Sequence, residues 1–470
     1  MGFLPMGVNF LLAPLYTYFM APEEYGILGV ADILSGFLAI IISLGVKHAF
    51  SRFYFDHTGD KEVLSKLLST SYFFTLITGI VLLFALFPFA ESILDWAFSN
   101  QHFSYTKYGV YIVIINLNII LSEIVLSYFR NQEAPRKYAT NAMAFFLLNV
   151  TGILIGVIIL ELGAAGNIWG RAAGGTLFSL VVCISILRKH GFHFVNNMLR
   201  RMLSYGLPLI PYSLLLIIFN KADRIYVENQ HGIEDLGVYN LARQATDVIS
   251  VLFYSIFNTI SPKLYKYYSG KSGLTASYMT KLNNYFFLAA VWVVSLAVLL
   301  NYPFFRWVTE EKYFAASSYA FLLCLMYLGH FFYMLFTVPI LHSKKTRLMS
   351  VIIGLSLVVL VASLYYFNSI FGIIGIVLGL SLVKLVQATI AGSFSGLLLK
   401  LHLPFSIDRA VGLVLFVALA TLAIEVLEFE RWLANALISL SIAIASLIFF
   451  SKEYVAVLKI AANYLKARIA

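Results

Sequence analysis

The sequence predicts an all-α polytopic membrane protein with about 14 transmembrane helices, and three observations carry that reading. Charged residues make up 12% of the 470 and hydrophobic residues 60%, with a mean hydropathy of +0.86; soluble domains carry about 25% charged residues. Apolar runs of about 20 residues, the length of a bilayer-crossing helix, recur from end to end. Lysine and arginine collect in every second connection between those runs. A soluble core could not cover so much apolar surface, and the same composition excludes disordered and fibrous chains.

The first run, near 3–20, opens at Met1 without a basic leader and contains Pro5 and Pro14, so it reads as a first span and not as a cleaved signal. Spans follow near 27–46, 69–90, 108–129, 139–160 and 166–187. A second series lies near 202–220, 237–261, 282–301, 317–341, 348–366 and 371–399, and two more spans near 410–427 and 432–450. Cys183 and Cys324 each sit in an apolar run, so they offer neither a disulfide framework nor a metal site.

With the amino terminus inside, inner segments hold about 24 of the 33 Lys and Arg and outer segments about 6. Inner connections read KHAFSRFYFDHTGDKEVLSK, RNQEAPRK and HSKKTR, whereas outer ones read APEEYG and ELGAAGN. The net charge of +10 therefore records topology and contact with anionic inner-leaflet lipids, with both termini cytoplasmic and no nucleic-acid partner.

An internal repeat organises the spans. EEYGILGVAD (23–32) lies over IEDLGVYNLAR (233–243), so that Gly26 matches Gly237, Ala31 matches Ala242 and Asp32 falls on Arg243, an offset of 211. LGAAGNIWG, with Gly163, Gly166 and Gly170, matches FGIIGIVLG, with Gly372, Gly375 and Gly379, at an offset of 209. Two ends of one unit shifted by nearly equal distances indicate duplication. The chain divides into an N-lobe of six spans (1–200), a C-lobe of six (201–405), and two extra helices with a cytoplasmic tail (406–470). Both units begin inside, so the repeats are parallel, related by an axis along the membrane normal.

An ionisable group at the centre of a span costs roughly 2.5–3.5 kcal/mol on insertion scales, which makes each one a candidate site. Arg243 and Asp247 share a face of the eighth span with Tyr239, Asn240 and Gln244 nearby. Lys384 lies near the middle of the twelfth span, too deep to snorkel easily, and with Arg243 reads as a cavity cation. Glu123 joins Asn116 and Ser127 in a polar stripe on the fourth span. For Asp32 and Asp247 two readings stand: cavity groups, or charges neutralised in place, Asp247 by Arg243 and Asp32 by a cation across the repeat interface. Arg171 begins the sixth span near the outer surface, where snorkelling and substrate contact are both open. Asn220, Asp223 and Arg224 close the seventh span, either as ligands of a coupling ion (Na+ or H+) or as a solvated helix end.

Enzyme signatures fail specific tests. SGKSG at 269–273 ends like a phosphate loop, but Tyr265 stands where its first glycine belongs. The 9 histidines form no HExxH and no Cys/His cluster, so no metal and no cofactor is expected. Outer loops of at most about 16 residues leave no room for a domain of about 50, which argues against a membrane glycosyltransferase or glycan polymerase.

Three stretches, APEEYGILGVAD, GVKHAFSRFYFD and GVYNLARQATDVI continuing to SPKLY, resemble the Wzx-type polysaccharide and oligosaccharide flippases of the multidrug/oligosaccharidyl-lipid/polysaccharide (MOP) exporter superfamily. The resemblance covers nearly the whole chain. It implies two pseudo-symmetric six-helix lobes in a V-shaped transporter resembling the multidrug (MATE) exporters of the superfamily, with a central cavity and two further helices. Tyr239, Arg243 and Pro262 look like the eighth-span arrangement of the lipid-precursor flippases, although Asn240 replaces the second aromatic and the first span has no arginine. The implied function is translocation of an undecaprenyl-diphosphate-linked oligosaccharide to the outer leaflet of a bacterial inner membrane, for O-antigen or related polysaccharide synthesis. Membrane lipids and the polysaccharide polymerase or ligase machinery are its implied partners. A cation-coupled multidrug exporter of the same superfamily is the alternative, with Asp32, Glu123 and Asp247 as drug-attracting carboxylates.

Overall fold

The structure, a computed structural model, describes residues 4–57, 59–98, 103–270, 273–345, 347–427, 429–456 and 459. Among them the regular elements are all helical. In the first half these are α1 (Leu4–Phe19), α2 (Pro22–Ser43), α3 (Val46–Asp56), α4 (Lys61–Leu86), α5 (Ala90–Ala97), α6 (Val110–Asn131), α7 (Pro135–Leu154), α8 (Gly163–His190), α9 (Asn196–Gly206) and α10 (Ile210–His231). The second half holds α11 (Ile233–Tyr268), α12 (Ala276–Val308), α13 (Ala316–His342), α14 (Arg347–Ser393), α15 (Ile407–Val426) and α16 (Arg431–Phe449). The tail expected after the last span lies, at 460–470, outside the described residues, as do Lys271 and Ser272 of the SGKSG segment.

Eleven of the described helical segments are long and apolar enough to cross a membrane. One of them, Arg347–Leu398, breaks at Gly372 and contains both the eleventh and the twelfth expected spans. Outside the eleven stand α1, which has 16 residues, and α11, whose 36 residues include Arg243 and Asp247. The break and these two helices account for the 14 expected spans. Two basic connections expected as loops are instead the amphipathic helices α3 and α9, which pack on each other. There the Cβ of an alanine at Gly45 would fall 2.5 Å from the Gly206 Cα. The seventh expected span, 202–220, lies inside one helical segment, Asn196–His231, in which Pro208 and Pro211 mark a short 3-10 turn ahead of α10.

Contacts divide the chain into two compact units. Unit 1 comprises Met1–Pro5 and Leu15–Asn240, and unit 2 comprises Met6–Pro14 and Leu241–Ala470. In unit 1, α2 crosses the first turns of α11 so closely that a Cβ on Gly26 would stand 1.9 Å from the Ile233 carbonyl oxygen, and one on Gly237 1.8 Å from that of Pro22. These two contacts exchange under the offset of 211, since 26 maps to 237 and 22 to 233. Equivalent residues of the two repeats therefore meet reciprocally within unit 1. The other end of the repeat agrees: Gly163 and Gly372 both adopt left-handed φ, 53° and 57°, at the turn into the last span of each series.

One difference separates the repeats. Left-handed Leu44 and Gly45 split the first copy into α2 and α3, whereas the second copy continues as the single helix α11 through Pro262. In unit 2, Phe287 of α12 anchors an aromatic core with Phe331 and Phe332 of α13, Phe405 and Phe450, at centroid separations of 5.3–5.8 Å. The segment after α16 is tied to α12 where Asn284 donates to Glu453 Oε1 at 2.7 Å.

Candidate functional site

Three of the ionisable residues singled out in the sequence come together in unit 2. Arg243 and Asp247 lie one turn apart on α11, both half-buried, and Lys384 projects from the second part of α14. Their meeting point is α13. The Tyr327 hydroxyl donates to Asp247 Oδ1 at 2.9 Å, and Tyr327 is 4% exposed. His330, three residues on, lies in the electrostatic field of both Arg243 and Lys384. Its Nδ1 is buried without a hydrogen-bond partner among the described residues. The close passage of α14 over α13 depends on Gly329, where a Cβ would come 3.3 Å from the Lys384 Cβ.

Aromatic rings complete the cluster. The His330 ring centroid lies 6.1 Å from Tyr327, 6.3 Å from Tyr254 and 6.1 Å from Tyr333. Unit 2 thus gathers two cations, a carboxylate held by a phenol, an imidazole and three tyrosines. Cations and donors of this kind bind phosphate oxygens, and tyrosine rings offer apolar faces to sugar rings.

Unit 1 has its own charged cluster. Asp32 of α2 accepts from Lys221 Nζ at 2.5 Å and from Arg224 Nη1, both on α10. The Arg224 side chain is 5% exposed and that of Lys221 17%, whereas Asp32 is 45% exposed. Arg171 of α8 adds a third positive charge to the field at Asp32. Asp32 is therefore charge-compensated from the seventh span.

Asp223 is buried and its Oδ2 accepts from the Tyr239 hydroxyl at 2.7 Å. A solvated helix end is ruled out for Asp223 and Arg224, because α10 continues to His231 and both side chains are buried. Asn220, by contrast, is exposed. Glu123 pairs with Lys47 of α3 at 2.6 Å, and Asn116 of the same stripe donates to Ser35 at 3.0 Å, so that stripe fastens α6 to α2 and α3. Sequence reasoning passed over His330, Tyr327 and Lys221. His330 carried a usable signal, an ionisable ring inside an apolar span; Lys221 was hidden by ending the seventh span too early.

The polysaccharide biosynthesis protein family matches residues 1–267. The Lsg locus protein 1 of Haemophilus influenzae is 24% identical over 372 residues, covering 76% of this chain and 86% of that protein. An inward-facing multidrug resistance MATE family transporter of the MOP superfamily superposes with a TM-score of 0.68 at 16% identity, over 85% of this chain and 95% of its own. The lipid II flippase MurJ in an inward closed conformation gives 0.67 at 16% identity, over 95% and 97%. At such identities these two show the fold alone, and the multi-pass helical architecture agrees with it. Because its match spans more than half of the chain, the protein belongs to the polysaccharide biosynthesis protein family.

Proposed function

We propose that the protein is a flippase that moves an undecaprenyl-diphosphate-linked glycan repeat unit from the cytoplasmic to the outer leaflet of a bacterial inner membrane, with both of its own termini cytoplasmic. The observation that carries this reading is the convergence of Arg243 and Lys384 beside His330 and its tyrosines in membrane-spanning helices. A diphosphate is a dense anion, and away from water each contact to it is stronger. Arg243 presents a planar fork to two phosphate oxygens, while Lys384 acts as a point charge. The hydrocarbon tail stays in the bilayer as the head group crosses by alternating access. Family membership and the flippase among the solved relatives support the same substrate class.

In this scheme Lys221, Arg224 and Arg171 form a second positive site whose charge Asp32 balances when substrate is absent. Asn220 and Asp223 are assigned to a coupling ion, Na+ or H+. Delivery of the flipped unit to a polymerase or ligase of O-antigen or related polysaccharide synthesis completes the pathway. A cation-coupled drug exporter fits less well, because a cationic drug needs available carboxylates. Asp32 is held by Lys221 and Arg224, Glu123 by Lys47, and Asp247 by Tyr327. The test is export of the glycan in cells lacking the gene and complemented with Arg243→Ala or Lys384→Ala. Normal export at normal abundance of either variant contradicts the proposed site.

A further inference from the structure

Unit 2 contains an apolar pocket of about 420 Å³ outside the cation cluster, walled by Phe332 and Phe336 of α13, Leu385 and Ala388 of α14, and Val411 and Leu415 of α15. Its shape follows from the local backbone. Gly392 and Gly396 lack side chains that would fill it, and α14 ends there in a wider π-helical turn, Phe394–Leu398, before the chain doubles back through Leu401, His402 and Leu403 to α15. Of the three hydroxyl residues on the wall, Ser395 donates to the Phe336 carbonyl at 2.8 Å and Thr389 to the Leu385 carbonyl at 2.9 Å, and the third is Ser393. The interior therefore offers mainly hydrocarbon contact.

The rim is of the opposite character. His402 lines the mouth, and its carbonyl accepts from the Tyr268 hydroxyl at 3.2 Å. Tyr268 in turn packs on His342 at a centroid distance of 5.6 Å. Those contacts bring the ends of α11 and α13 and the segment after α14 to one place. The helix ends and connections that meet there carry Lys263, Lys266, Lys344, Lys345, Arg347 and Lys400, while Arg409 is paired with Glu453 at 3.5 Å and Asp408 stands beside it. Lys344, Lys345, Arg347 and Lys400 are exposed. On the topology read from Lys and Arg placement, this rim faces the inner leaflet.

We propose that this pocket is a binding site for an anionic phospholipid of the inner leaflet, with one acyl chain between α13, α14 and α15 and the phosphate on the basic rim. Juxtamembrane Lys and Arg attract an anionic leaflet, and burial of each acyl methylene adds to the binding. The volume suits one fatty-acyl chain, whereas an undecaprenyl chain of eleven isoprene units is several times too large. The pocket also backs onto the cation cluster: Leu385 lines it, follows Lys384 directly, and lies 3.3 Å from the position of a Cβ on Gly329. An acyl chain there braces the α13/α14 contact that carries Lys384.

The test uses the full-length protein purified in mild detergent and given phosphatidylglycerol or phosphatidylcholine, with bound lipid read by native mass spectrometry and stability by thermal unfolding. The wild type is expected to retain phosphatidylglycerol and to unfold several degrees higher in its presence than in that of phosphatidylcholine. Gly392→Leu fills the pocket and loses the bound lipid. The surface pair Lys345→Gln with Lys400→Asn leaves the core intact and abolishes the preference for phosphatidylglycerol; asparagine suits the left-handed φ of 53° at position 400. Equal retention of both lipids by the wild type, retention of an undecaprenyl lipid in their place, or unchanged binding by the surface pair overturns the proposal. None of these readouts depends on glycan transport.

Discussion

Gly26 and Gly237, equivalent positions of the two repeats, each press against the backbone of the other's helix. A Cβ at either would lie within 1.9 Å of a carbonyl oxygen, that of Ile233 or of Pro22. No side chain can be accommodated there without parting α2 from α11. Gly26→Ala and Gly237→Ala are each expected to cost about 1–3 kcal/mol or more and to lower both abundance and the thermal midpoint in detergent. Gly354→Ala on α14, where a Cβ meets nothing within 4 Å, is the control and stays at wild-type level.

Asp32 carries the compensating charge for two largely buried cations. Asp32→Asn is expected to destabilise the protein by about 1–3 kcal/mol, below the cost of breaking a fully buried pair because Asp32 itself is 45% exposed. Glu123→Gln disrupts a pair whose members are 32% and 40% exposed, and is expected to cost about 0–1 kcal/mol. Thermal unfolding of the two variants side by side checks the order; equal losses contradict it.

Tyr327 places Asp247 through one hydrogen bond. Tyr327→Phe keeps the ring against Phe253 and removes the hydroxyl. Transport is expected to fall about 3- to 10-fold, the effect of losing roughly one hydrogen bond, with no change in abundance. A loss of abundance instead would make the bond structural.

The carboxylates nearest the candidate sites are engaged by cations or by a phenol, so the protein is not expected to protect cells from cationic drugs. Deletion should leave drug minimum inhibitory concentrations unchanged while glycan export fails. A deletion strain with normal glycan and raised drug sensitivity contradicts the flippase reading.

The spans were legible because lipid imposes the same requirement on every one of them, a run of about 20 apolar residues. The repeat was legible because close backbone approach demands glycine at Gly26 and Gly237 and left-handed φ favours it at Gly163 and Gly372, which leaves the same residue at matching positions. The amphipathic helices α3 and α9 were not, since a basic, half-polar segment looks like a loop until its apolar face finds a partner, as Leu199 and Met202 do. Arg243, Asp247 and Lys384 announced themselves as charges in apolar helices. Their meeting at α13 did not, because Tyr327 and His330 belong to a span, Ala316–His342, that is buried nearly all round and has no polar face to mark them.

The most direct test of the account is the leaflet distribution of the lipid-linked glycan in cells expressing Arg243→Ala or Lys384→Ala at wild-type abundance. The account predicts accumulation of the glycan on the cytoplasmic leaflet with both variants, and partial relief with Arg243→Lys, which keeps the charge but loses the planar fork. Normal appearance of the glycan on the outer leaflet with either alanine variant would contradict it.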